Sequence, residues 1–308
     1  MGDAMKKHKF VICTPPYANN SAGIIVLHEL CDALVKNGHE AYVALMHMSE
    51  GQWDFHYPVS EEGFHPGLQR TVVDPVEYER AVNDALDNGI CIYPEIVQGN
   101  PLMAKRVARY FLYYDGGISG VKSDYSVSDY LIAFNPIYVE NPNAILFKPP
   151  LDAAMSDEGA PDFGSRTLDL TFFGKGPKYT DCFLVGGTVE LSKSWPRTKA
   201  ELAALLRSTR YLYTWDCHSA VNMDAIFCGA RPVLMQSKQL EIDVVPVDQS
   251  YMSLMIPFES IEDGSVDAAV NDYEFRRAAF VADMKGQMDR WVSNVRGTVD
   301  GMVAFFRL

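Results

Sequence analysis

Near its start the chain runs from an apolar tetrapeptide, Phe10 to Cys13, through the loop TPPYANNSAG and the helix-periodic stretch IIVLHELCDALVKNG to a second apolar run, AYVALM. Apolar runs this short, separated by a helix closed by Asn37 and Gly38, form a βαβ unit. A crossover of that length brings the second strand back parallel to the first, so the intervening loop sits at the carboxyl edge of a parallel sheet. The same alternation continues. YERAVNDALDNG predicts a helix and ICIYP a strand, PLMAKRVARYFLYY a further helix, and the stretch from Asp129 to Asp152 several short strands broken by Asn135, Pro136, Asn141 and Pro142.

The pattern then restarts. RTLDLTFFGKG is a strand ending in a loop with Gly174, Lys175 and Gly176, TKAELAALLRSTR a helix, YLYTWD a strand, and NMDAIFCGARPVLM a helix closed at Gly229 and followed by a strand. A length of 308 residues suits two domains of about 150 residues each, with Pro149 and Pro150 at the crossing. The expected division is 1–148 and 149–308. Residues 273–306 carry Trp291, Val295, Val299, Met302 and Phe306 at helical spacing, a face suited to packing back on the first domain.

Against 40 acidic residues stand 27 Lys and Arg, a net charge of −13, which supplies no general attraction for a nucleic acid or an anionic membrane. No nucleic-acid partner is expected on that ground, and an anionic ligand must be held locally. The six cysteines are widely spaced without a CxxC pair, which suggests neither a disulfide framework nor a zinc site, so no metal ligands are assigned. The opening residues lack a signal-peptide core and no apolar run has the length of a membrane span. A cytoplasmic location is expected, including the cytoplasmic face of a membrane, with a peripheral or protein assembly partner as an option.

Several residues stand where loops meet the predicted sheet edges. Gly23, with Ser21 and Ala22, opens the first helix, where small residues and unpaired amides suit either a turn or a ligand. Lys175 between two glycines can approach a diphosphate or lie solvated. Arg197 stands near a helix amino end, suited to phosphate or to a carboxylate partner. The densest polar cluster is WDCHSAVNMD, in which Asp216, Ser219 and Asn222 gather at a strand-to-helix junction and Asp224 lies farther along the helix. Ser219 suits a helix cap as well as a ligand. Two groups are candidates for acid–base work: His218, which an orienting role would equally explain, and Glu95, a carboxylate at a strand end. Asp115 with two following glycines is explained by turn chemistry.

GIIVLHELCDALVKNGHEAYV, YPEIVQGNPLMAKRVARYFLYYDG, FFGKG and PRTKAELAALLRSTRYLYTWDCHSAVNMDAIFCGARPV together resemble glycosyltransferases of the GT-B type, in particular bacterial polysaccharide enzymes. The resemblance implies two Rossmann-type α/β domains with parallel sheets facing an interdomain cleft, an acceptor side in the first half and a nucleotide-sugar donor side in the second. It implies that Lys175 and Arg197 meet the donor diphosphate and that Asp216 through Asn222 line the donor cleft, while Asp224 stands where the family often has Glu. Implied too is metal-independent transfer of a sugar to a hydroxyl of a glycan, a lipid-linked saccharide or a small molecule. The nucleotide-sugar is then a substrate, and no cofactor is required. A nucleotide-sugar epimerase and a non-catalytic sugar-nucleotide-binding or assembly protein are the alternatives, and retention or inversion stays open.

Overall fold

A computed structural model describes residues 6–308 except 51, 58–62, 66, 73, 179, 193, 236–251 and 263–270. The chain divides into two compact units, the first made of Met1–Lys148 with Gln287–Leu308 and the second of Pro149–Gly286. The last 22 residues therefore join the first unit, although they follow the second in sequence.

In the first unit β1 (Lys9–Thr14), β2 (Glu40–Ser49), β3 (Gln52–His56), β4 (Ile90–Pro94), β5 (Val107–Phe111), β6 (Tyr130–Ala133) and β7 (Ala144–Ile145) form one sheet in the order β3-β2-β1-β4-β5-β6-β7. Every pairing is parallel except that of β2 with β3. The helices are α1 (Ala22–Lys36) and α2 (Pro75–Asn88). α1 closes where Gly38 takes a φ of +85° and its N–H reaches Val35 O. α2 opens on Asp74, whose carboxylate accepts the Val76 N–H, and on Pro75, whose missing N–H costs nothing in the first turn.

Side chains of β1 alternate between two buried faces. Phe10 and Ile12 meet Leu27, Leu30 and Leu34 of α1, whereas Val11 and Cys13 meet Tyr78 and Val82 of α2. That is why the run FVIC is apolar throughout.

The predicted helix over PLMAKRVARYFLYY is not formed. Asn100 closes a turn on Ala104 through both its amide oxygen and its amide nitrogen, and VARYF then runs as β5 between β4 and β6, all five residues buried. Pairing on both edges outweighs the local helix propensity of the stretch.

In the second unit β8 (Leu168–Phe172), β9 (Val189–Leu191), β10 (Thr209–Thr214), β11 (Arg231–Leu234) and β12 (Ile256–Pro257) form an all-parallel sheet in the order β12-β11-β10-β8-β9. Its helices are α3 (Lys199–Ser208), α4 (Ala220–Phe227), α5 (Phe258–Glu262) and the first part of α6 (Tyr273–Phe306). Thr198 and Glu201 make a reciprocal capping box at α3. α4 ends at Gly229, whose φ is +78° and where a Cβ would meet the Arg166 guanidinium at 2.7 Å.

The chain is thus α/β throughout, with two Rossmann-like units. In each the connections leave a central strand in opposite directions, which creates a switch point: between β1 and β4 in the first unit, between β8 and β10 in the second. The carboxyl ends of such strands are where open α/β sheets bind ligands.

Candidate functional site

The two loops that flank the switch point of the second unit are tied together. Asp216 is buried; its Oδ2 accepts the Lys175 N–H at 3.0 Å and its Oδ1 the His218 N–H at 3.3 Å. The loop after β8 fits because it carries glycines. A Cβ on Gly174, whose φ is +54°, would lie 2.6 Å from Asp216 Cβ, and one on Gly176 would lie 2.5 Å from Trp215 Cβ. Lys175 is the side chain this tight turn presents, half-buried between them.

Ser219 is the cap of α4, its hydroxyl accepting the Val221 N–H at 3.4 Å. Asn222, fully buried, donates from Nδ2 to the carbonyls of Asp216 (2.8 Å) and Cys217 (3.2 Å), and its Oδ1 has no hydrogen-bond partner. Asp216, Ser219 and Asn222 therefore build the turn that holds Lys175 and the half-buried His218 at the sheet edge.

Asp224 is fully buried on α4. Its Oδ2 accepts from Lys199 Nζ of α3 at 2.8 Å while its Oδ1 is without a partner. Burial pushes its carboxyl above the usual range, and the Lys199 ammonium opposes that shift. Lys199 went unnoticed in the sequence because a lysine at the first position of a helix reads as a solvated charge. Arg197 is exposed, preceding α3 and so following β9 instead of a strand at the switch point. Its backbone N–H donates to Glu201 Oε2 at 2.9 Å.

In the first unit Gly23 and Glu95 come to the same switch point. The Glu95 carboxylate accepts the Leu112 N–H at 3.1 Å, and a Cβ on Gly23 would lie 3.5 Å from Leu112 Cδ1, so one leucine borders both. Ser123 Oγ donates to the Glu95 carbonyl. Behind this loop lies Arg109 of β5, 1% exposed, which donates to the carbonyls of Val97 (2.6 Å) and Gly99 and pairs with Asp129 at 3.0 Å. Arg109 anchors the loop that carries Glu95. It escaped notice because the sequence around it reads as helix. Asp115 caps its own turn by accepting the Ser123 N–H at 2.6 Å.

Beside Gly23, the loop after β1 is packed by aromatic rings. His28 is buried with its Nε2 3.0 Å from Pro15 O, and Tyr17 stands edge-on to both His28 and His65. Burial lowers the His28 pKa, so the ring is neutral at pH 7. Among the described residues no group of three or more His, Cys, Asp or Glu is arranged to hold a metal ion, and no helix is long and apolar enough to cross a membrane.

No family model matches the chain, and no curated protein sequence does. Among solved structures it is similar to an alpha-glucosyltransferase in complex with UDP and a 13-mer DNA containing a HMU base, at 12% identity and a TM-score of 0.42, with 94% of this chain and 95% of that one covered. It is similar also to alpha-glucosyltransferase (AGT) in complex with UDP, at 13% identity and a TM-score of 0.44, with 96% of each chain covered. A third is an alpha-glucosyltransferase with UDP and a 13-mer DNA containing a central A:G mismatch, at 14% identity, a TM-score of 0.41 and 96% of each chain covered. Two of these three hold DNA, so the expectation that nucleic acid is excluded as a partner is withdrawn. Its physical ground was incomplete as well, because a net charge describes the sum over a surface and says nothing of where its basic groups lie.

Proposed function

We propose that the chain is a glycosyltransferase that moves a sugar from a nucleotide-activated donor to a hydroxyl acceptor. The observation that carries this reading is the placement of Lys175 and the start of α4 on the two loops that flank the switch point of an all-parallel sheet, tied by Asp216. A nucleotide diphosphate suits such a crevice, since the helix amino end and a compact ammonium both favour its charge.

In transfer the acceptor oxygen bonds to the anomeric carbon, the bond from that carbon to the diphosphate breaks, and the hydroxyl proton goes to a base. Lys175 and the amides at the start of α4 stabilise the charge growing on the leaving diphosphate, so protein groups take the part a metal plays elsewhere. Asn222 and Asp224 are fully buried and act from behind these loops, Asn222 by holding the turn after β10 and Asp224 by tying α4 to Lys199 of α3. On the first unit, Gly23 borders the acceptor and Glu95, on the loop Arg109 anchors, takes its proton. His218 is the second titratable group at the donor loops. Arg197 follows β9, off the switch point, and its role is a different one.

The test is to incubate the purified chain with UDP-, GDP-, dTDP- and CMP-sugars and acceptors that include oligosaccharides, lipid-linked saccharides and a DNA oligomer with a HMU base, recording nucleotide release and product mass. An acceptor-dependent gain of one sugar mass is the expected result. Lys175→Ala should raise the donor KM at least about 10-fold, about 1.4 kcal/mol of lost binding, and Glu95→Ala should act on acceptor use. An isomerised donor without a new product mass would favour an epimerase, and tight donor binding without turnover a binding protein.

A further inference from the structure

Arg197 shares a hollow with an aromatic ring. A cavity of about 630 Å3 opens on the outer side of α3, lined by Trp195, Pro196, Arg197, Glu201, Ala204 and Leu205. That volume falls within the span of about 300–1,000 Å3 common to small-molecule sites.

The walls are fastened. Ser192 N–H donates to Trp195 O at 3.0 Å, and the N–H groups of Arg197 and Thr198 both donate to Glu201 Oε2, at 2.9 and 3.1 Å. Glu201, Ala204 and Leu205 lie three and four residues apart and so share one side of α3, while Leu202, Ala203 and Leu206 are buried on the other. The small Ala204 leaves the floor open.

Trp195 is 43% exposed, a large apolar surface left facing this space. The rim is polar. Glu201 Oε1 is left as an acceptor once Oε2 has taken its two backbone bonds, and among the described residues the Arg197 guanidinium makes no ion pair.

We propose that this hollow binds one pyranose unit of a neutral oligosaccharide. A pyranose has an apolar C–H face and a rim of hydroxyls that both donate and accept. The face lies against the electron-rich Trp195 ring, the floor of Ala204 and Leu205 takes the puckered ring edge, Arg197 donates to one hydroxyl, and Glu201 Oε1 accepts from its neighbour. A flat nucleobase matches the site less well, because only one wall is aromatic. The binding does not depend on the transfer reading; its use as a second grip on a saccharide acceptor rests on it.

The test is a titration of the full chain with maltopentaose, cellopentaose and chitopentaose, followed by saturation-transfer NMR without nucleotide-sugar. At least one should bind, Trp195→Ala should weaken it at least about 10-fold, Trp195→Phe should stay within about 3-fold of the parent, and Arg197→Met should weaken it several-fold. A thermal melt of each variant checks folding. The proposal is overturned if no oligosaccharide binds at about 10 mM, if folded Trp195→Ala binds as the parent does, or if Trp195-dependent binding is found for uridine or adenosine and not for a saccharide. Absence of nucleotide release in the donor panel would defeat the transfer reading alone, leaving this titration to decide the hollow.

Discussion

Gly174 stands in the turn after β8 and Gly23 in the first turn of α1, and they differ in what surrounds them. Alanine at Gly174 must adopt a φ of +54° and place its Cβ 2.6 Å from the Asp216 carboxylate, which holds Lys175. Gly174→Ala should cost about 1–3 kcal/mol and weaken donor binding; a urea melt and donor titration measure the two effects. At Gly23 the nearest atom is an ordinary 3.5 Å away, so Gly23→Ala should stay within about 0.5 kcal/mol of the parent or gain slightly from helix propensity. The Lys199–Asp224 pair offers a sharper case. Lys199→Met leaves a fully buried carboxylate without its cation, a loss of about 3 kcal/mol at pH 8. Because the folded pKa of Asp224 is raised, the folded state holds that proton more tightly than the unfolded chain. Stability from this group therefore falls as pH climbs from the ordinary value of 3.8 through the raised one. With Lys199 gone the window moves further up, so the deficit of the variant should be smaller at pH 5 than at pH 8 in paired urea melts.

Among the elements, α6 has the widest reach. Its 34 residues begin in the second unit, and from Gln287 they belong to the first, where Trp291, Val295, Val299 and Met302 join the core formed by α1 and β1. Polar contacts fix the register: Trp291 Nε1 donates to Glu29 O at 3.3 Å, Asn37 Nδ2 to Val292 O at 2.8 Å, and Arg296 Nε to Asn37 Oδ1 at 3.1 Å. Trp291→Ala should cost about 3–5 kcal/mol and lower the melting temperature of the first unit, with little effect on donor binding by the second; differential scanning calorimetry with and without nucleotide separates the two.

On the scale of the whole chain, the cysteines report how completely the two sheets are covered. Cys13, Cys31, Cys91, Cys217 and Cys228 are buried, and only Cys182 is partly exposed. Burial holds the thiols of Cys13 and Cys31 well above their ordinary range and pushes Cys228 up to about 12. Cys13 and Cys91 lie with their sulfurs 3.8 Å apart on neighbouring strands, neither reachable by solvent. A native thiol titration at pH 8 should therefore find one reacting group, lost in Cys182→Ser, and all six after denaturation.

Periodicity and punctuation alone determined much of the molecule. The runs FVIC, ICIYP and YLYT are apolar almost throughout and LDLTF alternates apolar with polar residues, and all four became central strands; Ser219 became a cap and Gly229 a helix stop, each for a reason contained in a few neighbouring residues. The cluster from Asp216 to Asn222 was legible as a site because strand, turn and helix follow one another directly. Tertiary structure decided whatever depended on a partner distant in sequence. VARYF is a strand because β4 and β6 stand on either side of it; Asp224 is an ion-paired buried group because α3 brings Lys199 to it; Arg109 anchors the Glu95 loop from a strand that local propensity reads as helix; and residues 287–308 join the first unit because Glu29 and Asn37 lie against them. A periodic pattern states which face of an element is buried, whereas the surface that covers it is a choice among all the faces the chain makes, settled only when they pack.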